Sequence, residues 1–160
     1  MTRIAVTSDF GYLYGLYMHP AINPFLLYEQ MPVEEFRPVF NKLQEKGYLY
    51  VYQDQEGVPV GMFKLVPQQY RNSHVVYLGG LAIDPLFTGK GYAMQMLHEI
   101  KGMVAQKGFS RIELTVAVMN EKAIRLYEKA GFQQEGRLRN FTFLKSEGRF
   151  IDELIMSCLL

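Results

Sequence analysis

Apolar positions along the chain fall into two rhythms, and together they predict eleven elements. Residues 3–6 read as a first strand, closed by Thr7, Ser8 and Asp9. A tyrosine-rich segment over 10–18 follows as a first helix. His19-Pro20 and Asn23-Pro24 break it, before the apolar cluster Phe25, Leu26, Leu27 and Tyr28. Pro32 opens a second helix that runs to about Lys46, with Glu34 and Glu35 in its first turn. Its apolar line is Val33, Phe36, Val39, Phe40 and Leu43, a helical spacing. Gly47 stops it. Residues 48–53 and 58–66 then form a hairpin around Asp54-Gln55-Glu56-Gly57.

The run from Val75 to Ile83 carries no charge and opens with β-branched and aromatic residues. It suits a strand buried on both faces and falls short of the ~20 apolar residues of a membrane span. Gly79 and Gly80 inside it point to a bulge or a close backbone approach. Asp84-Pro85 ends it, since proline has no N–H to donate. After Thr88-Gly89-Lys90-Gly91-Tyr92-Ala93, helical spacing resumes. Ala93, Leu97, Ile100 and Val104 share a line, with Met96 and Met103 beside it, until Lys107-Gly108. Residues 111–116 form a further strand. Asn120 caps a short helix that Ala130-Gly131 ends, and two last strands, 132–144 and 149–159, turn around Ser146-Glu147-Gly148.

The order β-α-α-β-β-β-α-β-α-β-β makes an α/β chain, a mixed sheet of about seven strands with four helices, and no regular βαβ alternation. At 160 residues, with no linker, repeat or low-complexity segment, residues 1–160 are expected to form one domain. The 17 basic and 16 acidic side chains nearly cancel and form no basic block, so nucleic acid and anionic membrane are not expected partners. No signal-peptide pattern opens the chain, and its single cysteine, Cys158, cannot form an internal disulfide. The cytoplasm is the expected compartment. Cys158 reads as a core thiol. His19, His74 and His98 lack ligand-like spacing, so no metal is expected.

Strand, glycine-rich turn and helix N-terminus together make an anion site, because the first N–H groups of a helix lack partners and its dipole is positive there. A P-loop needs Ser or Thr after Gly-Lys, and Gly91 stands there. The dinucleotide fingerprint needs its first glycine directly after the strand, but Asp84 to Thr88 intervene, and Met94 occupies its third glycine. Two readings stand: an ordinary glycine-rich turn, or a cradle for a pyrophosphate arm such as that of coenzyme A.

Residues 114–132, Leu-Thr-Val-Ala-Val-Met-Asn-Glu-Lys-Ala-Ile-Arg-Leu-Tyr-Glu-Lys-Ala-Gly-Phe, resemble the strand–Asn–helix–Gly-Phe segment of the GNAT N-acetyltransferases. Thr88, Gly91 and Ala93 lie where the same family has its R/Q-x-x-G-x-G/A segment. The stretches Arg71-x-Ser73-His74-Val75 and 111–116 look like the bacterial branch that acetylates amino acids. The resemblance is clear from about Arg71 onward and looser before it. It departs at Thr88, where the family has Arg or Gln; Lys90 is available to take over part of that role.

The resemblance implies the GNAT acyl-CoA N-acyltransferase fold and acetyl-CoA as co-substrate. It assigns the backbone of Leu81, Ala82 and Ile83 to the pantetheine arm, and Thr88, Gly89, Lys90, Gly91, Tyr92 and Ala93 to the pyrophosphate. Asn120 becomes a further cofactor contact, and Tyr127 the general acid. It places the acceptor pocket against the first two helices and the last hairpin, with Phe25, Tyr28 and Tyr77 as candidate substrate residues. It also allows a homodimer through the C-terminal strands. The general base stays open: the strand 75–83 has no carboxylate, and Thr115 rather than Glu113 falls nearer the reacting centre. A missing carboxylate leans toward an α-amine of pKa near 8, already partly neutral, over a lysine-type amine of about 10.4. The expected acceptor is the α-amine of an amino acid or a similar small molecule. Protein N-termini and polyamines are alternatives, and a catalytically idle acyl-CoA sensor is the non-enzyme one.

Overall fold

A computed structural model describes all residues, Met1–Leu160. The eleven elements occur in the expected order: β1 (Thr2–Ile4), α1 (Phe10–Tyr17), α2 (Val33–Glu45), β2 (Leu49–Gln53), β3 (Pro59–Pro67), β4 (Val75–Ile83), α3 (Tyr92–Gln106), β5 (Arg111–Ala117), α4 (Glu121–Lys129), β6 (Gln133–Leu144) and β7 (Arg149–Leu159). The seven strands form a mixed sheet in the order β1-β2-β3-β4-β5-β7-β6, in which β4 and β5 run parallel. No helix is long and apolar enough to cross a membrane. The chain resolves into two compact units, Met1–Leu65 with Gly80–Met96, and Val66–Gly79 with Leu97–Leu160.

In the first unit the apolar line of α2 becomes a wall. Phe36 and Phe40 are fully buried, and they pack with Leu13, Leu16 and Tyr17 of α1, Leu49 and Val51 of β2, and Met62 of β3. Ring contacts at 5.0 Å (Tyr17–Phe36) and 5.2 Å (Phe10–Phe40) knit the two helices. Each buried aromatic contributes about 1.5–3 kcal/mol by leaving water. The first strand ends two residues early, at Ile4, although Ala5 N–H still donates to the Leu49 carbonyl. Asp9 causes the turn: it is buried, holds Arg3 through two hydrogen bonds of 2.6 and 2.8 Å, and accepts from Val6 N–H. The Arg3 guanidinium holds the Asp9 carboxyl below its usual range, against the opposing effect of burial.

In the second unit β7 lies between β5 and β6, in register from Arg111↔Leu159 to Ala117↔Glu153 on one side. The other side is not the plain strand pair that 132–144 suggests. Register slips between Leu138 and Thr142, and Asn140 adopts φ 51°. Asparagine tolerates the left-handed region, and the Asp152 carboxylate receives both the Asn140 N–H and the Arg137 side chain, so the bulge has its own hydrogen-bond partners. Cys158 is buried, as a core thiol should be.

Arg111 bridges Glu113 and Glu135, and Ser157 also donates to Glu135. Arg111 above all, then Ser157, lowers the Glu135 carboxyl from 4.5 to about 2. A depressed carboxylate stabilises the fold above its unfolded pKa, and that contribution disappears as pH falls through the folded value. Acid titration of stability should therefore show Glu135→Gln losing less stability than wild type between pH 4.5 and about 2. Superimposable curves would assign the acid sensitivity elsewhere. Glu135 is exposed and solvent screens the pair, so the effect is small.

Candidate active site

In the first unit, β4 lies beside β3. Asp84 N–H donates to the Val60 carbonyl at 3.0 Å, and the Ala82 carbonyl lies only 2.7 Å from where a Cβ on Gly61 would stand. Backbone polar groups alternate sides along a strand. Ala82 therefore directs its groups to β3, whereas Leu81 and Ile83 direct theirs away from it. The three residues named from the sequence divide accordingly: Leu81 and Ile83 offer backbone partners, and Ala82 is the buried side chain between them. Gly80 has φ 58°, the left-handed value that suits glycine, and the Tyr17 hydroxyl lies 3.0 Å from where its Cβ would stand, so the glycine serves a close approach.

Beyond Ile83 the Asp84 carboxylate caps a short turn by accepting from Leu86 N–H at 3.0 Å. Gly89 and Gly91 follow at φ 80° and 81°, and α3 begins at Tyr92. Two left-handed residues flanking Lys90 fold the chain back so that the first N–H groups of α3 face outward, with no earlier helical carbonyl to pair with. Thr88, by contrast, spends its hydroxyl locally, donating to the Pro85 carbonyl at 3.1 Å. Lys90 is exposed, its ammonium 5.2 Å from the centre of the Phe87 ring. Tyr92 packs edge-on to Phe87 and Tyr52, which fixes the start of the helix. A surface cavity beside it is lined by Tyr52, Lys90, Tyr92 and Gln95, together with Asp54 and Glu56.

The acceptor candidates in this unit separate. Phe25 is 48% exposed. Tyr28 is partly buried, with its ring 5.9 Å from that of Tyr17 and the Lys64 ammonium 5.5 Å from its centre. Two phenols of α1, Tyr12 and Tyr17, have buried hydroxyls without hydrogen-bond partners.

In the second unit, the Asn120 side chain accepts from Ala123 N–H at 3.3 Å and starts α4, with Glu121 in the positive first turn. Gly131, at φ 92°, ends the helix, and Lys101 donates to the Ala130 carbonyl there. This short, well-capped helix carries Tyr127, which is 8% exposed and packs against Phe132. Burial first, then the neighbouring Tyr77, pushes the Tyr127 phenol far above its ordinary value, so it stays protonated. Tyr77 shares a 3.1 Å hydrogen bond with Thr115, and burial outweighs that bond to raise the Tyr77 pKa as well.

A carboxylate not singled out in the sequence belongs to this group. Glu153 of β7 acts electrostatically on Tyr77 and accepts from the Thr142 hydroxyl at 2.6 Å. Glu113, the carboxylate that the sequence did offer, is occupied by Arg111. Strand alternation alone gave no sign of Glu153, because its relation to Tyr77 depends on β7 lying against β5. No group of three or more His, Cys, Asp or Glu side chains is placed to hold a metal ion.

The acetyltransferase (GNAT) family profile matches residues 22–132, and the chain belongs to that family. It is 29% identical over 108 residues to the SPbeta prophage-derived uncharacterized N-acetyltransferase YokL of Bacillus subtilis strain 168, covering 67% of this chain and 60% of that protein. It is 33% identical over 93 residues to the L-amino acid N-acetyltransferase AaaT of Escherichia coli K12, covering 58% and 56%. The match thus spans less than two thirds of either relative. Among solved structures, the fold is similar to that of spermidine N-acetyltransferase from Vibrio cholerae in complex with CoA and spermine. There the TM-score is 0.87 at 24% identity, over 99% of this chain and 94% of that one.

Proposed function

We propose that residues 1–160 form one N-acetyltransferase domain that moves an acetyl group from acetyl-CoA to a primary amine, the α-amine of an amino acid or a similar small molecule. The observation that carries this reading is the pair of left-handed glycines, Gly89 and Gly91, which turn the first amides of α3 outward just beyond the strand edge of Leu81 and Ile83.

The co-substrate supplies an activated thioester and a phosphorylated tail. Leu81 and Ile83 hold the pantetheine arm as a neighbouring strand would, and one of their N–H groups steadies the carbonyl oxygen as charge develops on it. The amides of residues 89–93 receive the pyrophosphate at the helix N-terminus, with Lys90 free to swing onto it. Thr88 contributes by shaping the turn, because its hydroxyl is already engaged. Asn120 keeps its amide N–H groups for the cofactor while its oxygen caps α4. Tyr127 gives its proton to the departing sulfur. Glu153 draws the proton from the amine, directly or through water, and Tyr77 and Thr115 lie along that route. The cytoplasm and a homodimer belong to the same reading; sedimentation reads the second directly.

A thiol-release screen with acetyl-CoA over amino acids, polyamines and N-terminal peptides tests it. Acetyl-CoA-dependent release stimulated by amino acids is the expected result. Coenzyme A binding without release for any amine would leave an idle acyl-CoA sensor in its place.

A further inference from the structure

Lys64 lies in the middle of β3 and is 7% exposed, in the run Val60 to Leu65 where every residue is buried. No carboxylate pairs with it. Its ammonium lies over the face of Tyr28, 5.5 Å from the ring centre, which attracts a cation without neutralising it. Burial lowers its pKa and no acidic neighbour opposes the shift. A buried lysine without a counterion is costly to keep, and proteins ordinarily pair such a charge.

Tyr17 stands beside it with a second unanswered group. The residue is 1% exposed, and its hydroxyl has no hydrogen-bond partner. That hydroxyl and the Lys64 Cγ lie 3.0 and 3.9 Å from one point, where a Cβ on Gly80 would be. The Tyr17 and Tyr28 rings meet edge to face, so the Lys64 side chain, the Tyr17 phenol and the Tyr28 ring gather near Gly80 of β4, immediately before Leu81. Gly80 and Tyr28 are only partly buried, so the cluster lies just beneath the surface on that side. A cation and a hydroxyl donor, both buried and both without an acceptor, are complementary to one chemical group: an anion with at least two oxygens.

We propose that Lys64 and Tyr17 form a carboxylate-binding subsite, so that the acceptor amine must also carry an anionic group, as an α-amino acid does. The proposal rests on the acetyltransferase reading for the name of its ligand and deepens it. Lys64 Nζ pairs with one carboxylate oxygen and the Tyr17 hydroxyl donates to the other. A polyamine brings only positive charge to Lys64 and is repelled. The partly buried ring of Tyr28, backed by the buried rings of Tyr17 and Phe36 at 5.9 and 6.4 Å, offers an apolar surface to the side chain next to that carboxylate.

Isothermal titration of the full chain, with coenzyme A present, separates this subsite from the chemistry. The probes are 3-phenylpropionate, a carboxylate without an amine, and phenethylamine, the converse. Wild type should bind 3-phenylpropionate at least tenfold more tightly. Lys64→Met and Tyr17→Phe should each weaken that binding by about 10–100-fold, the range for hydrogen bonds to charged groups. Neither variant should change the Kd of coenzyme A, and Lys64→Met should unfold at a higher temperature than wild type because an unpaired buried charge is gone. Equal carboxylate affinity in wild type and Lys64→Met would overturn the proposal. So would a weakened coenzyme A Kd in its place, which would give the cation to the cofactor's phosphates. A kcat loss shared by L-phenylalanine and phenethylamine, with carboxylate binding intact, would make Lys64 a proton acceptor and also overturn it. Carboxylate binding without acetyl transfer to any amine would sink the acetyltransferase reading and leave the subsite standing. Acetylation of phenethylamine as efficient as that of L-phenylalanine would do the reverse.

Discussion

Tyr127→Phe should lower kcat by about 100–1,000-fold, within the usual contribution of a positioned acid, and leave the Kd of coenzyme A within about twofold. The substitution removes one oxygen from a ring packed against Phe132, so volume and packing are nearly unchanged and the melting temperature should barely move. What is lost is a proton held at a buried hydroxyl. Burial and Tyr77 both raise that phenol's pKa, so it stays fully protonated across the working range of an enzyme, and no rate loss below pH 10 should trace to its ionisation. A pre-steady-state thiol-release assay at saturating acetyl-CoA checks this, and a kcat equal to wild type would remove Tyr127 from the chemistry. A fall in coenzyme A affinity with kcat intact would make Tyr127 a wall of the binding site and not a donor.

Order and type of the elements were legible because the two hydrophobic periods rarely overlap in this chain and glycine marks most ends. Phe36 and Phe40 at helical spacing, and the uncharged run Val75–Ile83, could be read without any tertiary information. The turn glycines were legible for the same local reason, since left-handed backbone is a property of single residues. What was not legible depended on register and neighbours. Lys64 sits in Met-Phe-Lys-Leu-Val and passes for the solvent-facing position of an alternating strand; only burial of β3 on both faces makes it an unpaired charge. Glu153 acquires its relation to Tyr77 when β7 lies down beside β5. The division of labour between Ala82 and its neighbours follows from which edge β3 occupies. The bulge at Asn140 needs the Asp152 carboxylate, twelve residues away, to hold it.

The same substitution at two glycines should have opposite signs. Gly61→Ala places a methyl group 2.7 Å from the Ala82 carbonyl and 2.9 Å from Ile83 Cδ1. The side-chain atom can rotate away, but the carbonyl belongs to a strand hydrogen-bonded in place, so β3 and β4 must part. Overpacking of this kind costs about 1–3 kcal/mol. In a chain of this length that lowers the melting temperature by roughly 3–10 °C. Gly102, on an exposed face of α3, has nothing within 4 Å of its missing Cβ and an ordinary helical backbone. Alanine there should stabilise by about 0.5–1 kcal/mol, because the unfolded chain loses freedom and the helix loses nothing. The two variants also separate stability from function. Displacing Ala82 and Ile83 moves the backbone edge assigned to the pantetheine arm, so Gly61→Ala should weaken coenzyme A binding even at temperatures where it is fully folded, whereas Gly102→Ala should not. Calorimetric melting and coenzyme A titration of both proteins read these effects. A Gly61→Ala protein that melts lower yet binds coenzyme A as wild type does would detach that strand edge from the cofactor.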